Sequence, residues 1–261
     1  ALRDAASNLT KAATWGSSTA ASADSSVVSA SGNTKATAGS YSVSVQQLAA
    51  SQSLASSAFG SSASTLGSGT LTLELGTWSA DQSSFTAKSG ATPVSVSVLA
   101  TDTLAQVRDK INAAGGGVSA SIVNDASGSR LVMHSSATGE ENGFRVQVAD
   151  DDGDSTDSAG LSALAYDPSA SVSSMSRTQA AANARATVNG LTVTSASNTL
   201  EEVVEGVTLK LGKVSASPVE VTVSSNTESI KKSITDFATA YNDLAKYLST
   251  QTRYDSASKT A

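Results

Sequence analysis

The 261-residue chain contains no cysteine, three prolines, one histidine and only 4% aromatic residues. Without thiols it forms neither disulfides nor thiolate metal sites, and a single imidazole falls short of the several ligands a zinc site requires. Charged residues make up 15%, against about a quarter in ordinary globular domains. The net charge of -6 has the wrong sign for nucleic acid or an anionic lipid surface, both of which need clustered Lys and Arg. No run approaches the roughly 20 apolar residues that cross a bilayer, so no membrane insertion is expected, and no signal peptide is visible. Ala1 falls in mid-pattern, and the chain reads as a fragment of a longer protein. Ser, Thr and Ala dominate instead. Cores built from Val, Leu and Ala without large anchors are thin, which favours several small β domains over one deep core.

Catalytic motifs are missing as well. A Ser-His-Asp site would have to use His134, but no glycine-flanked nucleophile turn accompanies it. In RLVMHSS it lies opposite Leu131 and Met133 and reads as a solvent-facing strand residue. The acidic run Asp150, Asp151, Asp152, Gly153, Asp154, Asp157 lacks the alternating carboxylates and twelfth-place Glu of an EF-hand; it reads as a solvated loop. Gly115–Gly117 follow a helical pattern, whereas a phosphate cradle needs amides at a helix start. No catalytic residue, cofactor or metal is therefore expected, and the chain does not read as an enzyme.

Its strongest positive signal is near the C-terminus. From Ser225 to about Tyr254, Ile230, Ile234, Phe237, Tyr241, Leu244 and Leu248 follow at steps of four, three, four, three and four. This is the seam of a long helix that buries a narrow stripe along another helix. Ser225 and Glu228 fit a capping box. A charge placed at Ile234 or Leu244 would cost several kcal/mol unless it reached water. Residues 1–15 read as a shorter helix, with Leu2, Ala6, Leu9 and Ala13 on one face and Gly16 as its stop. It is the natural partner within the chain, though too short to cover the stripe.

Between these ends the period is two. After a Ser/Ala/Gly-rich link at 17–40, strands are expected at Tyr41–Val45, Leu71–Leu75, Phe85, Val94–Val98, Val118–Ile122, Leu131–Met133 and Phe144–Val148, with a second link at 51–68. One helix interrupts them, with Leu104, Val107 and Ile111 on its face and Asp102 or Thr103 as its cap. The order β-β-β-α-β-β-β describes an α+β module with hairpin connections. Residues 149–183 look least ordered. Asn189-Gly190 marks a hairpin, Thr199–Glu205 a one- to two-turn helix, and Val207–Leu211 and Val219–Val223 two more strands. The likeness of DTLAQVRDKI to NTLEEVVEGV hints weakly at a duplicated module. The fold expected is α+β, with two mainly antiparallel β head domains, one inserted in the other, on a helical stalk formed by both chain ends. The parts would be a leg (1–32 and 224–261), a β-rich head (33–59 and 176–223) and an inserted α+β head (60–175).

Three phrases carry a family resemblance. SVSVQQLA, RDKINAAGGGVSASIVND, and VNGL with SNTLEEVVEGVTL, running into TVSSNTESIKKSITDFATAYNDL, occur in the order found in the bacterial flagellar filament cap family, hook-associated protein 2. The middle phrase also resembles inserts of some flagellins. The resemblance implies an extracellular structural protein, exported by the flagellar secretion apparatus. Such a protein forms a homo-oligomeric ring at the filament tip and guides flagellin subunits into place. The seam from Ile230 to Leu248 would then serve assembly as well as packing. An adhesion module binding host glycan or protein, or another flagellar axial protein such as a flagellin, is the alternative.

Overall fold

The structure, a computed structural model, describes residues 1–252. Four α-helices, α1 (Leu2–Thr10), α2 (Ala12–Trp15), α3 (Leu104–Ala114) and α4 (Thr227–Gln251), are set among strands whose pairings are antiparallel. The chain divides into two compact units, one comprising 1–44, 188–191 and 199 onward, the other 45–187 and 192–198. The α+β class with mostly antiparallel sheets is as expected.

In the first unit, Val219–Ser225 is a central strand. Ser18–Ser22 pairs along one side of it, from Ser18 opposite Ser225 to Ser22 opposite Val221. Gly39–Val43 pairs along the other side, with Val43 opposite Val219. Tyr41, opposite Val221, thus shares a sheet with the strand that leads into α4. A second sheet sets Val207–Leu211 between Val28–Gly32 and Thr199–Val204. Val28, Val43, Val207, Leu209, Val221 and Val223 are buried. At the Asn189-Gly190 turn both residues take positive φ, 49° and 82°, as this hairpin type requires.

Two expectations fail in this unit. Residues 17–40 are not a link, because they carry the strands Ser18–Ser22 and Val28–Gly32. Their period of two is real, but it is written in Ser and Ala, whose contrast in hydropathy is too small to read. Thr199–Val204 is a strand, not a helix. The positive φ of Glu202 (57°) and a register shift between Leu200 and Val204 bend it locally, and Gly206, at φ 73°, turns it back on Val207. Pairing with a neighbouring strand overrides a weak helical spacing built on β-branched valines. The likeness between 102–111 and 198–207 therefore joins a helix to a strand and supports no duplication.

In the second unit the order β-β-β-α-β-β-β is as read between residues 69 and 150, with further short strands on either side. A six-stranded sheet is centred on Gly69–Trp78, which pairs with Gly143–Asp150 on one side. On its other side it pairs with Val94–Val98 at one end and Phe85–Ala87 at the other. A four-stranded sheet runs Ser176–Gln179, Ser53–Ala55, Gly128–Ser135, Val118–Asp125. The 51–68 link thus contains a central strand of three residues, too short for periodicity to expose. Helix α3 buries Leu104, Val107 and Ile111. Thr103 caps it through a reciprocal pair with Gln106, and Gly115 ends it at φ 67°.

Residues 149–183 differ most from their appearance. The short 3-10 helix Gly160–Leu164 and the turns after it bury Leu161, Leu164, Tyr166 and Met175, each 2% exposed or less. Irregular backbone hides their pattern from both periods. The sheets are linked by the fully buried Gln52. Its amide donates to the carbonyl of Phe144 at 2.6 Å and accepts from the N–H of Phe144 at 3.2 Å. Asn112 grips Ala120 in the same two-bond manner (2.9 and 2.7 Å), and Asn198 grips Ala49 (2.9 and 2.7 Å). Each amide stands in for a strand partner.

Candidate functional site

Helix α4 is the longest element, 25 residues, or roughly 37 Å at 1.5 Å per residue. Its cap is Asn226, whose side chain accepts from the N–H of Ser229 at 3.0 Å. The expected Ser225–Glu228 box does not form. Ser225 ends the preceding strand, paired with Ser18, and Glu228 instead pairs with Lys231 at 2.9 Å. Tyr254, the expected helix end, lies outside the described residues.

The N-terminal helical region packs on α4, through Leu2, Ala5, Ala6 and Leu9 of α1, which are half-buried. It is not one helix of fifteen residues. The chain turns extended at Lys11 (φ -78°, ψ 126°), and Ala13 becomes exposed. The break frees two carbonyls that side chains then occupy. The hydroxyl of Thr14 donates to Asn8 and the indole N–H of Trp15 to Leu9, each at 2.6 Å.

This packing covers only one flank of α4. Asn226, Ile230, Ser233, Phe237 and Ala240 are half-buried, and Ala1 and Leu2 share a cavity wall with Asp236, Thr239, Ala240, Asp243 and Leu244. The other flank is bare. Ile234, Tyr241 and Leu248, seven residues apart, are 47%, 58% and 51% exposed. The exposed Ala238 and Ala245 lie beside them, and Leu244 is 42% exposed. No residue of α4 is fully buried. The six seam residues therefore split. Ile230 and Phe237 pack inside the chain, while Ile234, Tyr241, Leu244 and Leu248 line an open apolar stripe. An aspartate at Ile234 or Leu244 would reach water, so the expected cost of several kcal/mol does not apply within this chain.

Elsewhere, His134 is exposed, its Nε2 3.0 Å from the Ser119 hydroxyl. In the acidic loop alternate carboxylates turn to the backbone two residues on: Asp150 accepts from Asp152, Asp152 from Asp154 and Asp154 from Thr156. The Thr156 hydroxyl, with its N–H, holds the Asp154 carboxyl below the usual range. Among the described residues no group of three His, Cys, Asp or Glu is placed to hold a metal ion, and no helix is long and apolar enough to cross a membrane. A cavity in the second unit, lined by Trp78, Glu140 and Arg177 among others, leaves no mark in the sequence. Its residues are scattered along the chain, and only the fold assembles them.

Three family models match the chain in order. They are Flagellar hook-associated protein 2 N-terminus at residues 1–52, Flagellin hook IN motif at 84–137, and Flagellar hook-associated protein 2 C-terminus at 181–261. The B-type flagellar hook-associated protein 2 of Pseudomonas aeruginosa is 35% identical over 161 residues, which is 58% of this chain and 33% of that protein. The chain thus spans about a third of that relative's length. The crystal structure of FliD (HAP2) from Pseudomonas aeruginosa superimposes with a TM-score of 0.68 at 33% identity, over 88% of this chain and 98% of that one. The D1-D2-D3 domains of the Escherichia coli flagellar cap protein FliD match with a TM-score of 0.80 at 30% identity, over 98% of this chain and 68% of theirs. On this likeness of sequence and fold, the chain belongs to the flagellar hook-associated protein 2 family of flagellar cap proteins.

Proposed function

We propose that the protein of which this chain is part caps the distal end of the bacterial flagellar filament, outside the cell. There it promotes flagellin polymerisation as a homo-oligomeric ring. The observation that carries this reading is the match to a flagellar cap protein over 98% of the chain. The open stripe of α4 supports it, since a helix face bearing Ile234, Tyr241, Leu244 and Leu248 is incomplete in water. In the assembled cap this seam, continuous with the packed Ile230 and Phe237, is covered by helical partners. The two chain ends form the leg, and the β-rich parts form the heads. The role is structural, with no catalytic step.

A strain lacking the parent gene tests the reading. It should shed monomeric flagellin into the medium and carry stunted filaments, and electron microscopy of the purified full-length protein should show rings. Filaments of normal length in that strain would sink the proposal.

A further inference from the structure

The cavity in the second unit has the features of a ligand site. Its volume is about 330 Å³, at the lower end of the range for small-molecule sites. One wall is the segment Thr77, Trp78, Ser79, Ala80; Glu140, Arg177, Ala180 and Ala181 complete it. The Trp78 indole N–H is already committed to the carbonyl of Phe144 at 3.2 Å. The ring is held by Phe85 (centroids 4.7 Å apart, tilted) and by Tyr166 (5.7 Å, edge-on). Tyr166 is itself fixed by its hydroxyl, which donates to Gln82 at 2.5 Å. The aromatic wall is therefore built from both sides. Its apolar surface is supplied in place, without the entropy cost of ordering it on binding.

The two charged groups of the cavity stand apart. Among the described residues, neither the guanidinium of Arg177 nor the carboxylate of Glu140 makes an ion pair or a hydrogen bond, with each other or with any third group. Elsewhere in this unit Arg145 is paired with Glu74 and Asp167, Arg130 with Asp125 and Arg108 with Asp109. Among the described residues Arg185 also lacks an ion pair but is exposed, whereas Arg177 is half-buried in the cavity wall. A cation and an anion that line one small cavity without meeting complement a molecule carrying both charges.

We propose that this cavity binds a small zwitterion with an apolar body, an aliphatic α-amino acid or a short peptide. Its carboxylate lies on Arg177, its ammonium on Glu140 and its side chain against the Trp78 ring. Guanidinium–carboxylate pairing is the strong contact. Glu140 is exposed and Arg177 half-buried, so their contributions are screened and the affinity belongs in the millimolar range.

The chain has two tryptophans, so its NMR spectrum carries two indole N–H signals, separable by Trp15→Phe. Titration with leucine, and separately with leucyl-leucine, should move the Trp78 signal saturably and leave that of Trp15 in place. The tighter of the two ligands identifies the source as free amino acid or peptide. 4-Methylpentanoate and isopentylamine, each with one of the two charges, should bind several-fold more weakly. Arg177→Gln and Glu140→Gln should each weaken leucine binding by about tenfold, with undisturbed indole signals in the free protein reporting that both variants are folded. The proposal fails if neither zwitterion shifts Trp78 saturably. It fails equally if the singly charged analogues bind as well, or if both variants bind leucine like the parent.

Discussion

Individual polar side chains hold this aromatic-poor protein together. Gln52, Asn112 and Asn198 each make a donor–acceptor pair with the backbone of one residue and so extend strand pairing where no strand is available. A buried amide of this kind contributes mainly by not leaving its partners unpaired. Gln52→Leu should therefore destabilise the second unit by about 2 kcal/mol, a drop of roughly 4–8 °C in its melting midpoint, measured by calorimetry. Asp81 offers a pH-dependent counterpart. The Ser79 hydroxyl (2.7 Å), then the N–H and hydroxyl of Ser83 (3.1 and 2.9 Å), all donate to it, lowering its pKa from 3.8 to about 2. The folded value is depressed, so the linked stabilisation is fully present above the ordinary carboxylate pKa and is lost as the pH falls through about 2. A carbon-detected NMR titration should place the Asp81 midpoint near 2; a midpoint near 4 would show that the three donors are not engaged.

At the scale of elements, α4 separates two effects that its sequence pattern merges. Phe237→Ala removes a half-buried ring from the side packed within the chain and should cost about 2 kcal/mol in urea unfolding. Ile234→Asp places its charge in water and should cost under about 1 kcal/mol in the same measurement. In the full-length protein, Ile234→Asp should nonetheless abolish the proposed ring, read by light scattering. Equal losses of stability for both substitutions would contradict the one-sided packing. This division also marks the limit of what was legible beforehand. Steps of four and three located the stripe of α4 and the buried face of α3, because both are written in large apolar residues. The register Tyr41, Val43, Val45 and the Asn189-Gly190 turn were legible for the same reason. Ser18–Ser22 was not, since alternating Ser and Ala carries almost no contrast. Leu161, Leu164, Tyr166 and Met175 were missed because 3-10 turns bury residues at neither helical nor strand spacing. Which half of the α4 seam is covered depends on where α1 ends, and the break at Lys11 has no signal in composition. The proposed zwitterion cavity is further still from view, for Trp78, Glu140 and Arg177 come from three separate stretches of the chain and share no motif.

At the scale of the molecule, the second unit owns the larger continuous core, with Leu54, Leu73, Leu131, Met133, Phe144 and Leu161 all in one cluster. The clamp of Asn198 on Ala49 closes its ends, so residues 45–198 should fold alone except at the turn 188–191, whose partner Ser42 lies outside. Expressed in isolation, they should unfold in a single cooperative transition with a midpoint within about 5 °C of that seen for this unit in the whole chain. Non-cooperative melting would show that the division into units is wrong.

The pairing of Ser18 with Ser225 carries a consequence for the order of events as the chain is made. Strand Ser18–Ser22 finds its partner only after some two hundred further residues have been added, and α1 must wait for α4, later still. Apart from residues 188–191, which belong to the first unit and bond Ser42 through Asn189, the span 45–198 makes its contacts internally and can reach its final form first. Contacts that join distant parts of a chain form slowly, because loop closure comes before any gain from pairing. Folding is thus nested, with the inner unit complete while the flanking segments remain open, and the helices that carry the exposed stripe come together last.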